Sequence, residues 1–165
     1  MSAYGRNLAI VLTRELDAFV RELDLWPDDE RVWQSAPGVT NSAANLALHV
    51  AGNLQHFVGA VLGGTGYVRD RADEFGRRGG RRQDVIDALG AARDVVERVL
   101  PGLSEDRLST AFPETVNDIR MPADRFLLHL AVHAAYHLGQ ASYLRRLLLG
   151  DSRTASALSL QPLAE

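Results

Sequence analysis

The stretch PADRFLLHLAVHAAYHLGQASYLRRLLLG, residues 122–150, decides the fold. Its apolar residues recur at three- and four-residue spacings, which is the period of a helix and not of a strand. Pro122 suits a first helical position and Gly150 a C-terminal cap, so a helix is expected over about residues 122–149. At about 100° per residue, Phe126, Leu130, Leu144 and Leu148 fall within roughly 40° of one another and mark the expected buried stripe. Arg146 marks the exposed side. His133 and His137 both lie within about 40° of the stripe's centre, and His129 lies farther off, on the flank.

Three more stretches carry the same period. The first is expected at about 3–24, with Leu8, Leu12, Leu16, Phe19 and Leu23 in one stripe. The second runs about 41–63, opened by Asn41-Ser42 as a cap, with Leu46, Val50, Phe57 and Val61 in its stripe. The third runs about 82–100 and stops at Pro101-Gly102. No segment sustains period-two alternation. The connections 25–40, 63–82 and 101–121 are long, and the middle one holds six arginines around a possible short helix at 70–76. The expected architecture is all-α: a four-helix bundle with long connections over residues 1–150, followed by a C-terminal tail, 151–165.

Composition narrows the chemistry. The chain has 165 residues, 46% of them hydrophobic, enough for one domain with a substantial core. It has no cysteine, so a disulfide, a Cys-ligated zinc and a cysteine nucleophile are excluded. All 18 basic residues are arginine, which excludes lysine chemistry. A net charge of −3 gives no reason to expect a nucleic-acid partner. No stretch reaches the roughly 18 apolar residues of a membrane span. The opening residues lack a secretory pattern, so a cytoplasmic setting is expected.

Against that background the histidines stand out. Two imidazoles four residues apart on a helix point the same way and can hold one metal ion from one side; a third from a facing helix completes an open site. A core position is costly for an imidazole without a partner, so each is either neutral with a core hydrogen bond or a metal ligand. The i, i+4 pair favours metal. The second helix offers His49 and His56, about 10 Å apart along its axis and on nearly the same side; spacing does not choose between them. Asn53, between them, is either an amide bonded to backbone or a contact to a ligand histidine or to substrate. Gly139 reads as a site of close helix packing, and Gln140 as a residue able to orient a ligand histidine. In the run Arg69-Asp70-Arg71-Ala72-Asp73-Glu74-Phe75, a solvated loop competes with a sharper reading. In that reading Arg71 or Glu74 covers the metal mouth, Arg71 as an anion contact and Glu74 as an accessory acid or base.

Three segments together resemble the DinB-like superfamily of metal-dependent enzymes. They are Asn41-Ser42-Ala-Ala-Asn45-Leu-Ala-Leu-His49-Val-Ala-Gly52-Asn53-Leu, Arg71-Ala-Asp-Glu74-Phe75 and His133-Ala-Ala-Tyr-His137-Leu-Gly139-Gln140. The similarity runs from about residue 8 to 149. It implies a helical bundle, often dimeric, with a divalent metal, nickel or zinc, on His49, His133 and His137. His56 and His129 fall outside the matched ligand positions. Relatives of this type include bacillithiol S-transferases and a mycothiol-dependent maleylpyruvate isomerase. The expected function is therefore a metal-dependent thiol S-transferase or hydrolase acting on a small molecule, with a low-molecular-weight thiol as a candidate co-substrate. The alternative is a non-catalytic helical module, metal-binding or dimeric, with Val132, Tyr136 and Tyr143 as its outward face.

Overall fold

The computed structural model describes residues 2–164 and is all α. Helix α1 spans Ala3–Asp24, capped by the Ser2 hydroxyl, which accepts from the Tyr4 N–H. Helix α2 spans Ala43–Leu54 and continues as a wider π-helical segment over Gln55–Leu62. Ser42 and Asn45 close a reciprocal capping box at its start: the Ser42 hydroxyl accepts from Asn45 N–H, and the Asn45 amide oxygen accepts from Ser42 N–H. Short helix α3 spans Arg71–Gly76, α4 Arg82–Val99, α5 Glu105–Ser109 and α6 Ala123–Leu149.

The four long helices stand where their periodicity puts them. Helix α5 is an addition in a segment whose sequence carries little helical signal. It is one short turn, started by the Ser104 hydroxyl, which accepts from Arg107 N–H. Pro122 sits one residue earlier than expected, at the cap of α6 with an extended ψ of 146°, and Gly150 ends the helix in the left-handed region at φ 63°. Among the described residues there is no strand, only isolated bridges at Ala111–Pro122 and Val116–Ile119.

Helix α1 packs on α4 and α6, and α2 on the same two helices, so the long helices surround one core. Leu12, Leu16, Phe19, Leu89, Leu127 and Leu130 are among its fully buried side chains. Burial of such residues is the main favourable contribution to folding, about 1.5–3 kcal/mol for each large side chain.

The buried face of α6 differs from the expected stripe. Ala123, Leu127, Ala131, Ala134, Leu138, Ala141 and Arg145 are buried along with Phe126, Leu130 and Leu144, which moves the centre of the face by roughly 50°. Leu148 is only half-buried, and so are His133 and His137. The two histidines therefore stand on the rim of the core, where a ligand can reach them. Gly139 is exposed, with open space where a Cβ would be, so close packing does not account for it.

Arg145 is wholly buried and paired with wholly buried Glu22 of α1, Nε to Oε1 at 2.5 Å. Its Nη1 lies 3.0 Å from Asp151 Oδ2, and Nη2 donates to the Arg153 carbonyl at 2.6 Å. Arg21 Nε donates to the carbonyl of buried Ala155. These bonds tie the chain after Gly150 to α1 and α6. No helix among the described residues is long and apolar enough to cross a membrane.

Candidate metal centre

Helix α2 presents Asn45, His49, Gly52 and Asn53 at three- and four-residue spacings, so they share one face. That face receives the segment from Arg69 to Arg77. The Asn45 amide nitrogen donates to the carbonyls of Glu74 (2.9 Å) and Arg77 (3.0 Å), fixing α3 against α2. Gly52 leaves the space that Glu74 fills, since a Cβ there would overlap Glu74 Oε1. Phe75 packs on the His49 ring with centroids 4.6 Å apart.

Buried Glu74 accepts from His49 Nδ1 at 3.0 Å through Oε2. Arg69 grips the same carboxylate with two bonds, Nε to Oε1 and Nη2 to Oε2, each 2.7 Å. Arg69 Nη2 is also 3.1 Å from His49 Nδ1, because both nitrogens share Oε2 as acceptor. Burial pushes the Glu74 carboxyl up, but the bonds and charges of Arg69 and His49 outweigh it and hold it below its usual range. An ionised carboxylate only accepts, so His49 carries its proton on Nδ1 and leaves Nε2 bare.

Helix α6 supplies the other two rings. His137 Nδ1 lies 2.7 Å from Gln140 Oε1 and donates to it, which leaves its Nε2 bare as well. The Nε2 atoms of His49 and His137 stand 3.1 and 3.0 Å from that of His133. One ligand atom from each of the three rings falls within a 4.8 Å cluster. Burial first, then the neighbouring His137 and His49, depress His133 to about 3. Burial also lowers His137, against the bond to Gln140. Both rings are neutral near pH 7, the form that binds metal.

The donor set fits a cation. A proton on His133 Nε2 can satisfy one of its two neighbours, which leaves another pair of lone pairs face to face. One ion between the rings satisfies all three. Nitrogens held about 2.0–2.1 Å from a tetrahedral zinc would be about 3.3 Å apart, close to the spacings found. The three histidines are thus positioned to hold a metal ion.

A family model described as the DinB superfamily matches residues 12–141, most of the chain. The chain belongs to the DinB superfamily. No curated protein and no solved structure matches it. The DinB match includes all three histidines, Glu74, Asn53 and Gln140.

The remaining expected residues are distributed as follows. His56 pairs with Glu114 at 3.0 Å, away from the cluster. His129 is exposed and stacks near Phe126, with its ring centroid 6.0 Å from that of His133. Arg71 is exposed, its guanidinium 5.1 Å over the Phe75 ring, and the arginine that grips Glu74 is Arg69. Sequence reasoning passed over Arg69, which differs from Arg71 by no local signal except its offset of five residues from Glu74. Glu74 meets the site from behind His49, at Nδ1, while the ring's Nε2 faces the cluster. Asn53 is buried and its Oδ1 has no hydrogen-bond partner among the described residues, so it is not an amide settled through that oxygen on backbone.

Proposed function

We propose that this DinB chain is a divalent-metal-dependent enzyme, its nickel or zinc ion held by His49, His133 and His137, acting on a small molecule as a thiol S-transferase or a hydrolase. The observation that supports it most is the convergence of three imidazole nitrogens, two of them stripped of protons by Glu74 and Gln140. When bound, the ion supplies Lewis acidity to a water or to an external low-molecular-weight thiol. With no cysteine in the chain, any thiol comes from a co-substrate.

The protein's own part is positioning. Glu74, locked by Arg69, holds the His49 ring and its tautomer, and Gln140 does the same for His137. This reading moves Glu74 from the accessory acid or base expected from its loop to a residue acting through His49. Asn53, one turn along α2 from His49, keeps an unpaired acceptor that is buried rather than open to a substrate, so its part is assigned behind the ligand histidine. Arg71, exposed over Phe75, is the candidate contact for an anionic group of the substrate. We read the protein as cytoplasmic and homodimeric.

A panel of bacillithiol, mycothiol and glutathione with a chloro-aromatic electrophile, run beside an ester panel on metal-loaded protein, tests the reaction. Turnover in one arm that disappears in His133→Ala is the expected result. Fully loaded protein inert in every arm counts against catalysis and for the binding module.

A further inference from the structure

A cleft of about 480 Å³ lies between α1, α6 and the chain after Gly150, a volume within the range of small-molecule sites. None of the three ligand histidines lines it. One wall is a face of α6. Ala135, Gly139, Ser142 and Arg146 follow one another at four, three and four residues, which keeps them on one side along about 16 Å of helix. Residues 154–159 form the opposite wall. That segment is tied down where Arg145 donates to the Arg153 carbonyl and Arg21 to the Ala155 carbonyl. The cleft is therefore formed before any ligand arrives.

Two residues of this cleft have no explanation inside the chain. Arg146, expected on the exposed side of α6, is half-buried. Its Nε is shut off from solvent and has no hydrogen-bond partner among the described residues. A charged donor buried without a partner is more costly than a neutral one. The acids that line the same cleft are already paired, Glu22 with Arg145 and Glu15 with Arg14, each at 2.5 Å. The charge of Arg146 is thus uncompensated within the cleft. Gly139 is the second case. Glycine is the poorest helix former after proline, yet it stands inside α6, and no neighbour comes within 4 Å of where a Cβ would be. Its missing side chain leaves room in the cleft about two turns from Arg146. The remaining surface is mostly apolar, from Leu138, Ala155, Ala157 and Leu158.

One unpaired guanidinium at the end of an apolar trough suits a single negative charge on an apolar body. A carboxylate matches the planar guanidinium as a fork. A phosphate monoester carries about two charges near pH 7 and would meet only one free arginine. We infer that this cleft binds a small apolar monocarboxylate, its carboxylate on Arg146 and its body over Gly139. The site is separate from the metal centre and does not depend on the metal reading.

Calorimetric titration of the metal-free full chain tests it, so that no carboxylate can report on a bound ion. Octanoate is the probe, octanamide its uncharged counterpart and hexyl phosphate the competing anion. Wild type is expected to bind one octanoate per chain and no octanamide. Arg146→Met deletes the unpaired nitrogen, so it is expected to melt no lower than wild type while binding octanoate about 10–100-fold more weakly. Gly139→Leu extends into open space; it is expected to keep its circular dichroism and to weaken octanoate as well. Wild type without saturable octanoate binding, or an Arg146→Met protein that binds it as tightly, overturns the inference. So does an Arg146→Met protein that fails to fold, since Arg146 would then serve the fold. Octanamide bound as well as octanoate, or hexyl phosphate bound more tightly, overturns the choice of a carboxylate.

Discussion

Glu74 Oε2 accepts from His49 Nδ1 at 3.0 Å, and the bond sets the proton of that ring on the side away from His133 and His137. Replacing the acceptor by an amide, Glu74→Gln, removes the charge and permits the opposite tautomer. Loss of such an outer partner typically costs about 10–100-fold in metal affinity. Titration of metal-free protein with zinc is expected to show a fall in that range with the fold intact by circular dichroism. Unchanged affinity would show that Glu74 does not hold the ring.

Gly52 is the space that lets Glu74 reach His49. The Cβ of Gly52→Ala would overlap Glu74 Oε1, and overpacking of this kind costs about 1–3 kcal/mol. The variant is expected to lose stability and metal affinity together. In a Glu74→Ala background most of the penalty should vanish, because the overlapping atoms are gone. A double-mutant cycle reads the coupling, and strict additivity would contradict the account.

Metal-free protein should lose stability as the pH falls below 6.5. His133 stays neutral in the folded chain down to about 3, whereas the unfolded chain takes up that proton near 6.5. The unfolded state thus binds more protons across that window, and stability rises with pH through it, by at most about 1.4 kcal/mol per pH unit for one proton. His137, also lowered, adds in the same direction. Glu74, held below its usual range, adds a further loss at the acid end, where the unfolded chain protonates this carboxyl before the folded one does. Denaturant titrations from pH 7.5 to 4 are expected to show the fall, and His133→Gln to flatten it.

Arg145 and Glu22 are both 0% exposed, so removing one charge strands the other. Arg145→Ala is expected to cost about 3–5 kcal/mol. It should also free the segment after Gly150, which is held through Asp151 and the Arg153 carbonyl. Thermal melts read the first effect, and limited proteolysis within residues 151–160 the second. A melt within a degree or two of wild type would contradict it.

The helices could be read from the sequence because Leu, Val and Phe recur on one side of each. The face of α6 was harder. Its core side is built largely of alanine, at Ala123, Ala131, Ala134 and Ala141, and alanine scarcely marks a stripe. The larger Phe126, Leu130, Leu144 and Leu148 pulled the expected centre aside and left His133 and His137 looking more buried than they are. Arg145 escaped notice because a charged residue in the core is recognisable only through its partner, 123 positions away. Arg69 and Arg71 look alike in sequence, and only the packing of α3 on α2 decides which one reaches Glu74. The ligand set followed from the DinB resemblance, since spacing on α2 left His49 and His56 equal. The structure separates them, with His49 beside His133 and His56 on Glu114.

The most direct test is the metal content of untagged protein, measured by mass spectrometry beside His133→Ala after both are exposed to nickel and zinc and then desalted. Close to one divalent ion per chain is expected in wild type and a loss of most of it in the variant, with helicity unchanged. A wild type that retains no stoichiometric ion, or a His133→Ala protein that retains as much as wild type, would contradict it.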